Sequence, residues 1–184
     1  MLVSSKILNG VNGIVKIPGD KSISHRSIII PSIANGITEV NNILKSEDVL
    51  KTINAVKSMG IKIEEKNNIL LIHGRGLHSL SKPINKINLG NSGTSARLLV
   101  GLLSAQKFDS FLFGDDSLSN RPMARIINPL IKMGANIESN NYKLPIIIRG
   151  KKLKGIKYEL NIPSAQVKSG ISMAALFLND QTEI

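Results

Sequence analysis

The feature that most limits how this chain can fold is that it repeats itself. Gly19-Asp20-Lys21-Ser22-Ile23-Ser24-His25-Arg26 aligns with Gly90-Asn91-Ser92-Gly93-Thr94-Ser95-Ala96-Arg97 at an offset of 71 residues, matching Gly, Ser and Arg. The same step from Arg97 lands on Lys168, inside the small polar segment Pro163-Ser164-Ala165-Gln166-Val167-Lys168-Ser169. Met59-Gly60-Ile61-Lys62-Ile63-Glu64 aligns with Met133-Gly134-Ala135-Asn136-Ile137-Glu138 at an offset of 74. A period of this length means that one supersecondary unit recurs and that its copies pack on one another. Two whole units and the opening of a third are expected, at residues 19–88, 89–161 and 162–184.

Periodicity supplies the content of each unit. A polar Gly/Ser loop opens a first helix, expected at 24–35 with Gly36 as its stop, at 94–105 and at 165–178. A strand follows at 38–44 and at 110–113. A second helix starts at Ser46-Glu47-Asp48, where Ser46 suits the N-cap, or at Arg121-Pro122, where Pro122 suits the first helical position. Gly60 and Gly134 close these helices as C-terminal caps. Two strands then pair, 61–64 with 69–73 and 135–138 with 144–149, through turns at Asn67-Asn68 and Asn140-Asn141. Pro31 and Pro129 fall inside helical patterns, where each is expected to kink or break the helix. The unit is βαβαββ. The fold class is therefore α/β, with pseudo-threefold packing that gathers the first helices inside and a third unit left incomplete at Ile184.

Composition narrows the function. With 42% hydrophobic residues the chain can bury a core. Apolar runs such as 28–30 and 98–100 fall far short of the ~20 residues that a membrane span requires, and the first thirty residues lack the pattern of a secretory signal. No membrane association is expected. The absence of Cys fits a reducing compartment, which makes the cytoplasm the expected location. The net charge of +11 calls for an anionic partner, but aromatics are only 3% and the lysines are scattered, so nucleic acid is not the expected one. Lys151, Lys152, Lys154 and Lys157 read as a solvated loop. Lys outnumbers Arg 18 to 6, which draws attention to the few Arg inside Gly/Ser-rich segments, because Arg suits bidentate phosphate or carboxylate contacts.

Four segments carry that chemistry. In 18–26, Gly19 permits close backbone approach, Ser22 and Ser24 offer hydroxyls, and Lys21 and Arg26 add charge at a helix start that favours anions. It is not a Walker phosphate loop, since the Gly-Lys-Ser/Thr order fails. Segment 89–97 repeats the design with a neutral face, and a nest of backbone N–H groups at Gly93 and Thr94 would suit a phosphate or carboxylate. In 114–123, Arg121 stands at an expected helix start, against the dipole, so that a bound anion or Asp115 or Asp116 must balance it. Ser164-Ala165-Gln166 presents a hydroxyl and an amide at a third helix start. A capped helix start explains each segment taken alone. Together they lie at equivalent helix starts and are expected to converge on one cleft lined with donors for two anionic substrates.

In order and spacing, Gly-Asp-Lys-Ser-Ile-Ser-His-Arg, Gly-Asn-Ser-Gly-Thr, Ser-Leu-Ser-Asn-Arg-Pro-Met and Pro-Ser-Ala-Gln-Val-Lys-Ser resemble the signatures of the enolpyruvylshikimate-phosphate synthases. The resemblance implies transfer of the enolpyruvyl group from phosphoenolpyruvate to the 5-hydroxyl of shikimate 3-phosphate, with no metal or organic cofactor, in a monomer of two threefold-symmetric halves. Residues 1–18 would then belong to the first strands of the other, discontinuous half, and 19–184 to the repeat domain. It implies shikimate 3-phosphate contacts from Lys21, Ser22, Arg26, Ser164, Ala165 and Gln166, and phosphoenolpyruvate contacts from Lys21, Asn91, Gly93, Thr94, Arg121 and Gln166. Gly93 resembles the glycine whose replacement by Ala narrows an inhibitor pocket, while Ala165 departs from the second Ser of many members. The proton-transfer groups of the family would lie beyond residue 184, so the 184-residue chain alone is expected to be inactive. The sister enzymes acting on UDP-N-acetylglucosamine carry a Lys-Asn pair where this chain has Asp20-Lys21-Ser22. A non-catalytic basic binding module is the alternative of another class.

Overall fold

The structure is a computed structural model that describes residues 12–184; of the expected strands in 1–18, those at 1–11 lie outside the described residues. Helix α1 (Lys21–Ser32) begins three residues before the start expected from periodicity, because the Asp20 carboxylate accepts from the Ile23 N–H at 2.7 Å and caps it. It ends at Ser32, so Gly36 does not stop it. Gly36 instead sits at φ +99° inside β1 (Asn35–Val40), opposite Gly74 of β3 (Ile69–Arg75). The extent of β3 decides that of β1, and their antiparallel register runs from Asn35–Arg75 to Val40–Leu70 rather than over 38–44. Between them in sequence lie α2 (Glu47–Ser58) and β2 (Lys62–Lys66), and the sheet order is β1-β3-β2.

The second copy repeats this order with a strand added at the edge. The elements are β4 (Ile87–Asn88), α3 (Gly93–Ser104), β5 (Ser110–Phe113), the short α4 (Asp116–Ser119), α5 (Ala124–Lys132), β6 (Asn136–Asn140) and β7 (Lys143–Arg149). The sheet runs β4-β5-β7-β6, with β4 parallel to β5 and the other pairs antiparallel. Then comes α6 (Ala165–Ala175), flanked by a parallel bridge between Lys157 and Glu183 that mirrors the pairing of β4 and β5 around α3.

Several expected boundaries move for local reasons. Ser46 is the N-cap of α2 as expected, yet its hydroxyl makes no cap bond. Gly60 and Gly134 do follow the C-caps, at φ +88° and +96°, with six-residue-loop bonds from the Ala135 N–H to the Leu130 carbonyl and from Ile61 to Val56. Asn67 and Asn68 both occupy the left-handed region and close the first hairpin. The second turn falls on Asn141 and Tyr142, one residue later than expected, because β6 has an irregular register at Ser139/Asn140. Pro31 and Pro129 do not break their helices: Pro31 sits in the last turn of α1, and α5 runs on through Pro129.

The core gathers around α3, whose twelve residues are all buried except Arg97. At its middle, α3 meets α6 backbone to backbone: a Cβ on Gly101 would lie 1.9 Å from the Gly170 carbonyl oxygen, and one on Gly170 would lie 2.7 Å from the Arg97 carbonyl oxygen. Glycine is required at this crossing. On the far side, Ile28 and Ile29 of α1 are fully buried, and strand residues Ile72, Leu112, Ile146 and Ile148 close the sheets over the helices. Gly101→Ala is expected to destabilise the fold by about 1–3 kcal/mol, the range for an overpacked core that must shift backbone, despite the better helix propensity of Ala; a urea titration of the variant against the parent measures it.

Candidate anion-binding site

The helix starts of the repeat carry the charged residues, and the helix crossing brings two of those starts together. Arg97 lies one turn before Gly101 on α3, and Gln166 lies one turn before Gly170 on α6. Arg97 Nη1 donates to the Gln166 Oε1 at 3.0 Å and to the Gly93 carbonyl at 3.2 Å, while Gln166 Nε2 donates to Thr94 Oγ1 at 3.0 Å. Arg121 approaches from the second-copy loop. Its guanidinium donates to the Asn91 side-chain and main-chain oxygens and, at 3.3 Å, to Ser117 Oγ. Gly93 is the hub: a Cβ there would stand 2.9 Å from Arg97 Nη1 and 3.2 Å from Arg121 Nη1.

Arg121 does not stand at a helix start. Asp115 caps α4 through the Leu118 N–H, the next helix begins only at Ala124 with Met123 as its cap, and Arg121 falls in the link between them. The cost that a cation would incur at a helix N-terminus does not arise there. The nest expected at Gly93 and Thr94 is likewise partly committed, since the Gly93 N–H already donates to the Asn91 carbonyl.

The α1 residues form a second group. Lys21 Nζ pairs with Asp48 Oδ2 of α2 at 2.8 Å, and Arg26 Nη2 reaches Ser169 Oγ of α6 at 3.4 Å, one turn beyond Gln166. Ser22 is half-buried in the first turn of α1. Ser164 caps α6 by accepting from the Val167 N–H, and Ala165 is exposed beside it. Among the described residues no hydrogen bond joins Ser22, Ser164 or Ala165 to the Arg97 group.

The electrostatics favour an anion. Burial first, then the charges of Arg121 and Arg125, hold the Arg97 guanidinium below its usual pKa. Among the described residues no carboxylate forms an ion pair with Arg97, Arg121 or Arg125. Like charges held this close, without a counter-charge, bind a negative group more strongly than separate ones. No group of His, Cys, Asp and Glu able to hold a metal occurs among the described residues, and no described helix is long and apolar enough to cross a membrane.

A sequence model of EPSP synthase (3-phosphoshikimate 1-carboxyvinyltransferase) matches residues 6–184. The chain belongs to the EPSP synthase family. It is 54% identical over 178 residues to the 3-phosphoshikimate 1-carboxyvinyltransferase of Ruthia magnifica, covering 96% of this chain and 41% of the relative. The enzyme of that name from Thermoanaerobacter sp. (strain X514) is 49% identical over 175 residues, again with 41% of the relative covered. The 2.37 Å structure of EPSP synthase from Acinetobacter baumannii superposes with a TM-score of 0.86 at 52% identity, over 90% of this chain and 38% of that one. The chain thus spans about two fifths of the length of these EPSP synthases.

Two residues that the sequence reading passed over matter here. Arg97 matched Arg26 in the repeat but was given no role, although its side chain is the centre of the group. His25 is wholly buried and bonded to α2 and α3. Burial lowers its pKa to about 4, with Asp48 opposing and Lys21 and Arg26 reinforcing the shift. The folded state therefore holds His25 neutral, whereas the unfolded chain takes up a proton below its ordinary value of 6.5. The contribution is present above pH 6.5 and is lost as pH falls toward 4, at a slope of at most about 1.4 kcal/mol per pH unit. Denaturant midpoints measured across that window should fall more steeply for the parent than for His25→Asn. For Gly93→Ala, the added methyl crowds only the ends of two flexible side chains, Arg97 and Arg121, with Leu118 Cδ1 at an ordinary 3.9 Å; the melting temperature should stay within a few degrees while inorganic phosphate binds at least several-fold more weakly by calorimetry.

Proposed function

We propose that this chain forms part of an enzyme that transfers the enolpyruvyl group of phosphoenolpyruvate to the 5-hydroxyl of shikimate 3-phosphate and releases phosphate. The observation that supports this most directly is the pair of guanidiniums, Arg97 and Arg121, that flank Gly93 and have no carboxylate partner among the described residues. A phosphate and carboxylate on one small molecule fit such a pair, because Arg presents its donors in a planar fork. In this reading Asn91, Gly93, Thr94, Arg121 and Gln166 serve phosphoenolpyruvate, with Asn91 orienting the Arg121 guanidinium and Thr94 orienting the Gln166 amide. Ser22, Arg26, Ser164 and Ala165 serve shikimate 3-phosphate, Lys21 and Gln166 touch both substrates, and Asp48 holds the Lys21 ammonium in place.

The chemistry is electrostatic. Addition to the enol builds cationic character on carbon, and elimination returns a phosphate dianion, so fixed donors that hold the phosphate lower both barriers. The proton-transfer groups come from the part of the EPSP synthases that this chain does not span, and no cofactor enters. In this reading the enzyme is a cytoplasmic monomer, as the family resemblance implies and the absence of Cys fits.

An enzyme of the relatives' length carrying this sequence should release phosphate from phosphoenolpyruvate only when shikimate 3-phosphate is present; release that ignores shikimate 3-phosphate, or none at all, refutes the assignment. In that enzyme Arg121→Ala should cost about 1.5–3 kcal/mol of phosphoenolpyruvate recognition, roughly a 10- to 150-fold rise in its KM, with the KM for shikimate 3-phosphate changed far less.

A further inference from the structure

The binding face is assembled from separate helices, and one buried side chain that the proposed chemistry does not use ties two of them together. His25 lies on α1 between Lys21 and Arg26 in position along the helix, with none of its surface exposed. Its Nδ1 is 2.7 Å from Thr52 Oγ1 on α2 and 3.4 Å from Ser95 Oγ on α3. Thr52 Oγ1 and Ser95 Oγ are 2.5 Å apart, and Ser95 Oγ is 2.6 Å from Ser92 Oγ. Ser92 is the N-cap of α3 and accepts from the Ser95 N–H at 3.2 Å. A continuous run of hydrogen bonds therefore leads from the residue next to Arg26 to the cap immediately before Gly93.

We propose that His25 is a positioning residue that holds the ligand-facing starts of α1 and α3 in register through Thr52, Ser95 and Ser92. The inference deepens the functional reading above and rests on it for substrate binding, but the coupling between the two helices stands independently. An apolar side chain of similar volume would fill the space, yet apolar contacts tolerate sliding, whereas hydrogen bonds hold donor and acceptor to a narrow distance and angle. A shift of one helical rise, about 1.5 Å along the axis, exceeds the roughly 0.5 Å range over which an N–H···O hydrogen bond keeps its donor–acceptor distance.

The ring works only in its neutral form. The charged groups that face it are Lys21 and Arg26 from α1 and Asp48 from α2, two cations against one anion. Its Nε2 is buried with no hydrogen-bond partner among the described residues, so an imidazolium would bury a second donor unsatisfied. Position 25 thus requires a polar atom where Nδ1 stands and none where Nε2 stands. The amide of Asn places a polar atom at the Nδ1 position, while that of Gln reaches toward the Nε2 position. The two substitutions separate the network from mere size or polarity.

The test compares His25→Asn, His25→Gln and His25→Leu in an enzyme of the relatives' length at pH 7.5, far below the melting temperature. Amide hydrogen exchange is followed at Ile23 and Ser24 in α1 and at Ser95 and Ala96 in α3, the first-turn donors of the two helices. Gln and Leu should speed exchange at least tenfold at the start of α3 as well as of α1, and raise the KM of both substrates at least tenfold with kcat within threefold. Asn should hold both readouts within threefold of the parent. Leu that lowers the melting temperature but leaves both KM values within twofold shows a structural role only and overturns the proposal. So does an Asn variant that behaves like Leu. If the parent transfers no enolpyruvyl group, the functional reading fails and exchange alone decides: unchanged exchange at Ser95 in His25→Leu overturns the coupling. If Leu does not fold, equal exchange at Ser95 in the Asn and Gln variants does the same.

Discussion

Two glycines allow the backbones of α3 and α6 to touch, and the geometry of the site follows from that contact. With Gly101 against the Gly170 carbonyl, the residues one turn earlier on each helix, Arg97 and Gln166, come within hydrogen-bond distance. A Cβ at either glycine would force the helices apart and carry the Arg97–Gln166 pair with them. The burial of α3 on all sides but that of Arg97 has the same origin, because a helix approached this closely by one neighbour and covered by α1, α2 and a sheet on the others has one outlet to solvent. Packing therefore determines which residue of α3 is left open to solvent.

Charge is arranged on this scaffold in two ways. Lys21 is neutralised by Asp48, a pairing across α1 and α2 that keeps the ammonium in place without a ligand. Arg97, Arg121 and Arg125 have no such partner among the described residues, and Arg97 is partly withdrawn from water, which holds its proton less tightly than usual. In the proposed function a dianionic ligand supplies the missing charge. The +11 of the chain is thus not uniformly distributed in its effect: scattered lysines are solvated, while Arg97 and Arg121 meet at Gly93.

Much of the fold was legible because its signals are local. The glycines at Gly60 and Gly134 mark helix ends wherever the chain is placed, since a left-handed residue after a helix favours glycine. The hairpins announce themselves through Asn67-Asn68, and the repeat itself survives in the spacing of Gly, Ser and Arg. What escaped depended on competition between neighbours. Asp20 started α1 early because its carboxylate reached the Ile23 N–H; Gly36 was drawn into a strand by the length of β3; and Arg121 was displaced from a helix start because Asp115 capped a short helix first. In the site, the residues around Gly93 were nameable from the motifs and the family resemblance. Arg97 and His25 were not, because their partners lie 69 and 27 residues away, and no local pattern encodes such a pairing.

The amino-acid sequence by itself carried the repeating α/β unit, the expectation of an anionic ligand and, through the resemblance of its motifs, the family, since periodicity, glycine placement and residue type act over a few neighbouring positions. The tertiary structure decided which cations meet at Gly93, which one is neutralised and which polar residue is buried between helices. Those outcomes turn on distances of a few ångströms between segments remote in the chain, and only the packing of α1, α3 and α6 sets them.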